Sequence, residues 1–327
     1  MSRNEMNALI TCEVTDDFLS SLTERGISFR RSGWGLTGVT LQPNEIIREA
    51  SDCQILIVEL EQLNRELIQR LPNVKFIGVS RGAPVNVDLD YCRSAGITVV
   101  HTPGRNADSV ADYCLGMMLA LTRKLVLSRD HLKNYGWMYA EKLPYLEFRG
   151  NEIGSLTIGL YGLGQIGHRV AKRLQGGFGS QVLFFDPFVE TSEHAKKVDS
   201  LEELFSQSDI VSLHAPVLKT TQNTVNRNLL RMLGSEGYLI GSARADLIVE
   251  PDLYASLLQG EIAGAALDVF WEEPLTVDSP WLHLPNVLCT PHIAGASLNV
   301  VENHCREILT GIDNWIATQQ SIGEGKK

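Results

Sequence analysis

The sequence predicts an α/β protein of two parallel-sheet domains, the second inserted into the first. Three observations predict it. Short apolar runs alternate with helix-period segments nearly from end to end. The strand candidates are apolar on both faces, as strands covered by helices on each side must be. Two long amphipathic segments, residues 106–134 and 297–318, stand at the seams of the two strand series. A chain of 327 residues is long enough to bury two such cores.

In chain order, residues 54–59, 74–79 and 97–100 read as strands, with helical stretches at 64–70 and 88–95 between them. The segment 106–134 carries Val110, Cys114, Met117, Leu121 and Leu125 at helical spacing. A second series of strands follows at 156–161, 182–185, 210–213, 238–240, 263–267 and 287–288. Ser200 and Glu203, ahead of Leu204 and Phe205, form a capping-box pattern. An amphipathic helix over 297–318 returns the chain to the first series. The expected division is therefore 1–104 with 296–327 for one domain, and 105–295 for the other.

Composition narrows the function classes. With 44% hydrophobic and 21% charged residues and no low-complexity run, the chain reads as globular. A formal net charge of −10 argues against a broad nucleic-acid interface, which needs a basic face. It leaves room for a local basic pocket holding a small anion. Cys12, Cys53, Cys92, Cys114, Cys289 and Cys305 are scattered without a CxxC pair. They read as reduced core thiols of a cytoplasmic protein, and no metal site is expected. Polar and acidic residues within 1–17 speak against a signal peptide. No apolar stretch approaches the roughly 18 residues of a membrane span.

The strand at 156–161 runs directly into Gly162-Leu163-Gly164-Gln165-Ile166-Gly167, and a helical run follows. A bare GxGxxG is weak evidence, but strand before and helix after is the context it requires. Gly162 permits the tight turn, Gly164 lets a pyrophosphate approach the backbone, and Gly167 lets helix pack on strand. The N–H groups that open the helix, around Gln165 and Ile166, then face the anion. About twenty residues on, the next strand ends in Asp186, placed to accept bonds from ribose hydroxyls. It would repel a 2′-phosphate, and no arginine follows nearby, so NAD is expected over NADP. The ordinary alternative is a tight βα turn and an incidental surface aspartate. Both domains are expected to be Rossmann-like, with the fingerprint in the inserted one.

Three ionisable residues fall at or just after strands of the second series: Arg244, Glu273 and His292. Open α/β sheets present their ligand-binding groups there. A histidine can take a hydroxyl proton or return it near neutral pH. A carboxylate bonded to it fixes its tautomer, and an arginine offers a planar fork to a substrate carboxylate. Read singly, each has an ordinary alternative: a structural histidine, a turn acid before Pro274, a surface ion pair. Spacing alone does not bring the three together.

From about residue 74 to 295 the chain resembles the D-isomer-specific 2-hydroxyacid dehydrogenases. The pieces appear in family order: Thr102-Pro103-Gly104-Arg105-Asn106 with Ser109-Val110-Ala111-Asp112, the 162–167 fingerprint, and Asp186-Pro187. Then come His214-Ala215-Pro216 with Thr221, Ala243-Arg244, Asp268-Val269-Phe270 with Glu273-Pro274, and the run 284–295 ending Thr290-Pro291-His292-Ile293-Ala294-Gly295. The resemblance implies an NAD-binding Rossmann domain inserted into a discontinuous, flavodoxin-like substrate (catalytic) domain. It implies an NAD-dependent D-2-hydroxyacid dehydrogenase, equally a 2-ketoacid reductase. His292 would be the acid/base, Glu273 its partner and Arg244 the substrate-orienting cation. Asp268 would hold the nicotinamide carboxamide. His214, Ala215, Pro216, Thr221, Ala243, His292 and Gly295 would lie along the cofactor. Substrate would bind at Arg81, Gly82 and Ala83 as well as Arg244, with Ser80 opening that loop. Family members commonly form homodimers through a helical excursion, here about 117–149.

Departures from the family pattern concern the substrate. Ala245 follows Arg244 where glycine is common, Ser242 stands where asparagine or threonine is usual, and His101 replaces a common asparagine. The substrate loop reads Gly82-Ala83-Pro84-Val85-Asn86-Val87-Asp88, as in the phosphoglycerate-dehydrogenase-like branch. Arg81 beside it is a candidate ligand for a second anionic group, such as a phosphate or distal carboxylate. An ordinary ion pair is the alternative. The resemblance also reaches an NAD-sensing, corepressor-like binding protein of the same fold, against which the lack of disordered tails weighs. Formate dehydrogenases place an amide where this chain has Glu273.

Overall fold

The computed structural model describes residues 6–324 and divides into two compact units. One comprises the chain up to Asn106 and from Ser297 onward, the other Ala107–Ala296. The sequence-level ends 1–5 and 325–327 lie outside the described residues. Among the described residues no helix is long and apolar enough to cross a membrane.

The first unit holds strands β1 (Met6–Ile10), β2 (Ile27–Arg31), β3 (Ile55–Val58), β4 (Phe76–Val79) and β5 (Thr98–His101). All pair in parallel, in the order β2-β1-β3-β4-β5. That is the flavodoxin-like order, reversing direction between β1 and β3. β3 and β4 are buried at every position, matching their unbroken apolar sequences. β1 and β2 are not among the strands the sequence predicts. β2 is an edge strand whose inner side chains alternate with exposed ones and which ends in Arg30 and Arg31, so no apolar run marks it. The terminal helix runs Leu298–Glu324, longer than expected, and packs on β4 and β5. Its Ile308, Ile312 and Trp315 share a core with Ala8, Ile55 and Phe76.

The second unit holds β6 (Thr157–Tyr161), β7 (Gln181–Phe185), β8 (Lys196–Lys197), β9 (Ile210–Leu213), β10 (Tyr238–Gly241), β11 (Gly264–Leu267) and β12 (Val287–Cys289). They form one parallel sheet, β12-β11-β10-β9-β6-β7-β8. Renumbered from β6, this is the Rossmann order with one further strand at the far edge. The sequence did not reveal β8, which is two lysines long.

Two expectations are corrected. The helix expected over 106–134 is two helices, Ala107–Thr122 and Leu125–Tyr135, broken where Lys124 turns left-handed at φ 51°. The Thr122 carbonyl that would have continued the ladder accepts instead from Asn151 N–H at 3.2 Å. The excursion over 117–149 is therefore only partly helical. At the capping box, Ser200 Oγ accepts from Glu203 N–H at 3.0 Å, but Glu203 Oε2 accepts from Asp199 N–H at 2.9 Å rather than from Ser200.

Candidate active site

Parallel pairing sends every carboxyl end of the second sheet to one edge, and the fingerprint lies there between β6 and the Gln165–Arg173 helix. Gly162 sits at φ +95°, and a Cβ on it would stand 2.7 Å from Ala215 N. A Cβ on Gly167 would meet Gly162 O at 2.4 Å, so helix and turn touch backbone to backbone. Nothing lies within 4 Å of where a Gly164 Cβ would be, and this N-cap residue makes no side-chain cap, so the first N–H groups of the helix, those of Gln165 and Ile166, are left uncapped by its side chain. Asp186, at the end of β7, takes Leu163 N–H on Oδ2 at 2.8 Å and Phe188 and Val189 N–H on Oδ1. These bonds brace the turn from both ends.

After β9 come His214, Ala215 and Pro216. Burial pushes the His214 imidazole down to about 4, so the ring is neutral at physiological pH. Both its ring nitrogens are buried and have no partner among the described residues. Buried polar atoms are satisfied as a rule, and a bound nucleotide would supply what the chain does not. Thr221 closes the same loop: its hydroxyl donates to Pro216 O at 2.6 Å and accepts from Leu218 N–H at 2.8 Å. A groove of about 650 Å³ opens between Tyr161, Phe185, Pro187, Leu201, Thr221 and Met232. The cradle, the orphaned imidazole and the groove together fit a dinucleotide.

Arg244, Glu273 and His292 follow β10, β11 and β12 respectively. The structure brings the last two into contact, His292 Nδ1 to Glu273 Oε2 at 2.9 Å. An ionised carboxylate only accepts, so Nδ1 carries the hydrogen and Nε2 is left as the basic position of the ring. Glu273 Oε1 meanwhile accepts from Phe270 N–H at 2.9 Å. Partial burial pushes the Glu273 carboxyl up, but the bonds from His292 and Phe270, with the charges of His292 and Arg244, outweigh it and hold it below the usual carboxylate range. Arg244 is exposed and donates Nη1 to Ala243 O at 2.6 Å. Among the described residues it has no carboxylate at ion-pair distance.

Asp268, fully buried after β11, does something the sequence did not suggest. Its Oδ1 accepts from Thr290 Oγ1 at 2.6 Å and Ile293 N–H at 2.8 Å, and its Oδ2 from Ala294 N–H at 2.7 Å. It grips the turn on both sides of His292, whose φ of 55° is uncommon outside glycine. Gly295 ends that turn. Tyr113 Oη stands 2.6 Å from Thr290 Oγ1, across 177 residues of sequence, a separation at which no local pattern could have pointed to it. Arg81, Gly82 and Ala83 belong to the first unit, in the loop after β4. Among the described residues the Arg81 side chain makes no hydrogen bond or ion pair.

Comparison with known proteins agrees with this geometry. Residues 115–294 match the family model for the D-isomer specific 2-hydroxyacid dehydrogenase, NAD binding domain. Glyoxylate reductase of Thermofilum pendens is 36% identical over 259 residues, covering 78% of this chain and 76% of that protein. D-3-phosphoglycerate dehydrogenase of Methanocaldococcus jannaschii is 34% identical over 266 residues, 80% of this chain and 49% of that protein. Among solved structures, D-lactate dehydrogenase from Aquifex aeolicus, complexed with NAD and lactic acid, matches with a TM-score of 0.73 at 27% identity over 98% of each chain. Sheet order, fingerprint and sequence thus agree, and the chain belongs to the D-isomer-specific 2-hydroxyacid dehydrogenases, NAD-dependent oxidoreductases acting on CH–OH groups.

Proposed function

We propose that this chain interconverts a D-2-hydroxy acid and its 2-keto acid, with His292 as the acid/base. The observation that carries the reading is the His292–Glu273 hydrogen bond, which leaves Nε2 as the basic ring position while an unpaired Arg244 acts on the same carboxylate. In oxidation, His292 Nε2 removes the hydroxyl proton and Arg244 holds the substrate carboxylate. In reduction the imidazolium returns the proton, and Glu273 supports its charge. A bound nicotinamide would supply the hydride acceptor in oxidation and the hydride donor in reduction at C2. Residues 162–167 and the His214–Ala215–Pro216 turn would hold the dinucleotide, with Thr221, Ala243 and Gly295 beside it, while Asp268, expected to hold the nicotinamide carboxamide, is buried and bonded to Thr290, Ile293 and Ala294 instead. The Asp186 carboxylate supports NAD over NADP.

The relatives act on glyoxylate and 3-phosphoglycerate by name. The Arg81 guanidinium makes no hydrogen bond or ion pair among the described residues, although its charge acts on Glu59, and this supports a phosphorylated or dicarboxylic substrate such as 3-phosphoglycerate, held also by Gly82 and Ala83. The test is a turnover panel with NADH and NADPH against glyoxylate, hydroxypyruvate, phosphohydroxypyruvate, 2-ketoglutarate and pyruvate. NADH-dependent preference for a doubly anionic acid, lost in Arg81→Ala, is the expected result. Preference for glyoxylate or pyruvate removes the second anion site and keeps the reaction; no turnover with any 2-keto acid removes the reaction.

Leu132, Trp137, Leu143, Tyr145 and Leu146 are large, apolar and exposed within 125–149, which supports a homodimer formed through this segment. Sedimentation of Trp137→Glu should show a monomer if so. The cysteines are all free, which supports a reducing, cytoplasmic location, to be checked by fractionation.

A further inference from the structure

The turn that carries His292 is not held by His292's own neighbours. His292 N–H donates to Thr290 O at 3.0 Å, two residues back, and its φ is positive, so the local backbone has little to stabilise it. What holds it is Asp268, which takes one hydroxyl and two backbone N–H groups from the residues on either side. Three donors converge on that carboxylate, so it acts purely as an acceptor.

This fixes the direction of the next bond outward. Thr290 has one hydroxyl hydrogen and gives it to Asp268 at 2.6 Å. Its oxygen must therefore accept at the 2.6 Å contact with Tyr113, and Tyr113 must donate. Burial, with the nearby Asp268 carboxylate, pushes the Tyr113 phenol up despite its bond to Thr290, so it keeps the proton the chain needs across the physiological range. Tyr113 lies on the Ala107–Thr122 helix, which packs against β10 and β11. A rigid helix of the sheet layer thus reaches the catalytic turn through two hydroxyls and one carboxylate.

We propose that Tyr113 is a positioning residue for the acid/base, acting on His292 through Thr290 and Asp268. The inference rests on the reading of His292 given above. Tyr113 touches neither His292 nor Glu273; its effect is to hold Thr290 Oγ1 in the one orientation that completes the Asp268 grip. Directional chains of this kind act as a unit, so cutting either hydroxyl should have one and the same consequence.

The experiment compares Tyr113→Phe, Thr290→Val, the double variant, Thr290→Ser and His292→Ala, in kcat, KM for NADH and thermal midpoint. Tyr113→Phe keeps the ring and its packing and removes only the hydroxyl. The expected result is a kcat lower by about ten-fold, on the scale by which misplacing a reacting group slows an enzyme, with KM for NADH unchanged. Thr290→Val should lose at least as much, the double variant no more than Thr290→Val alone, and Thr290→Ser should restore most of the rate. A Tyr113→Phe rate within two-fold of the parent, or losses that multiply in the double variant, overturns the proposal. A change confined to the thermal midpoint overturns it too, since that is a packing role. His292→Ala separates the two readings. If it is inactive while Tyr113→Phe is normal, only the positioning role falls; if it retains its rate, the assignment of His292 falls.

Discussion

His292 Nδ1 lies 2.9 Å from Glu273 Oε2, while the other oxygen of the same carboxylate is fixed by Phe270 N–H at 2.9 Å. The glutamate cannot swing away without abandoning a backbone bond. It therefore sets the direction of the ring as well as its tautomer.

Removing that charge while keeping the shape should change the pH profile. The contacts that hold the Glu273 carboxyl below the usual range keep it ionised until the pH falls through that lowered value, so whenever the ring carries both protons near neutral pH it faces a negative partner. Glu273→Gln takes the partner away and makes the protonated ring harder to maintain. The pH at which keto-acid reduction fades should move to lower values, read from kcat/KM against pH. An unmoved profile would exclude Glu273 from supporting the proton.

His292→Ala should lower kcat by at least about 100-fold, the usual contribution of a placed general acid/base. NADH binding, measured by fluorescence quenching, should survive, because the cradle at 162–167 does not use the imidazole.

Gly162→Ala tests the nucleotide turn. A side chain there faces both φ +95° and Ala215 N at 2.7 Å. Strained backbone of this kind costs about 1–3 kcal/mol, before any clash. Both the unfolding midpoint and NADH affinity should fall, and unchanged NADH affinity would detach this turn from the dinucleotide.

In the first unit, Arg105 pairs with Glu59 and donates Nη1 to His304 Nδ1 at 2.9 Å, with side chains only 17% and 10% exposed at the ion pair. Arg105→Met should destabilise by about 3 kcal/mol, because it strands a buried carboxylate. Burial already pushes the Glu59 carboxyl up, with Arg105 opposing it. Without Arg105 the folded state binds that proton more tightly than the unfolded chain does, so stability should rise as pH falls and be poorest above the raised value. Chemical denaturation at pH 5 and pH 8 measures the difference.

The residues that report locally were legible. The 162–167 fingerprint announces itself by its flanking strand and helix, and β3 and β4 by unbroken apolar runs. β2 and β8 did not, because they end in or consist of basic residues. Arg244, Glu273 and His292 could be placed at strand ends, but the 2.9 Å contact of the last two depends on the register of β11 against β12. Tyr113 is the limiting case, since its partner is set by how a helix lies on the sheet. The break at Lys124 was hidden because Thr122 and Asn151 meet only in three dimensions.

The long Leu298–Glu324 helix has a consequence for synthesis. It supplies Ile308, Ile312 and Trp315 to a core whose other walls, Ala8, Ile55 and Phe76, leave the ribosome first. The unit Ala107–Ala296 is complete while those walls still lack their cover. Domains fold as units while the chain emerges, so the unit second in sequence is the first able to mature. The earlier one carries an open apolar face until the Leu298–Glu324 helix arrives.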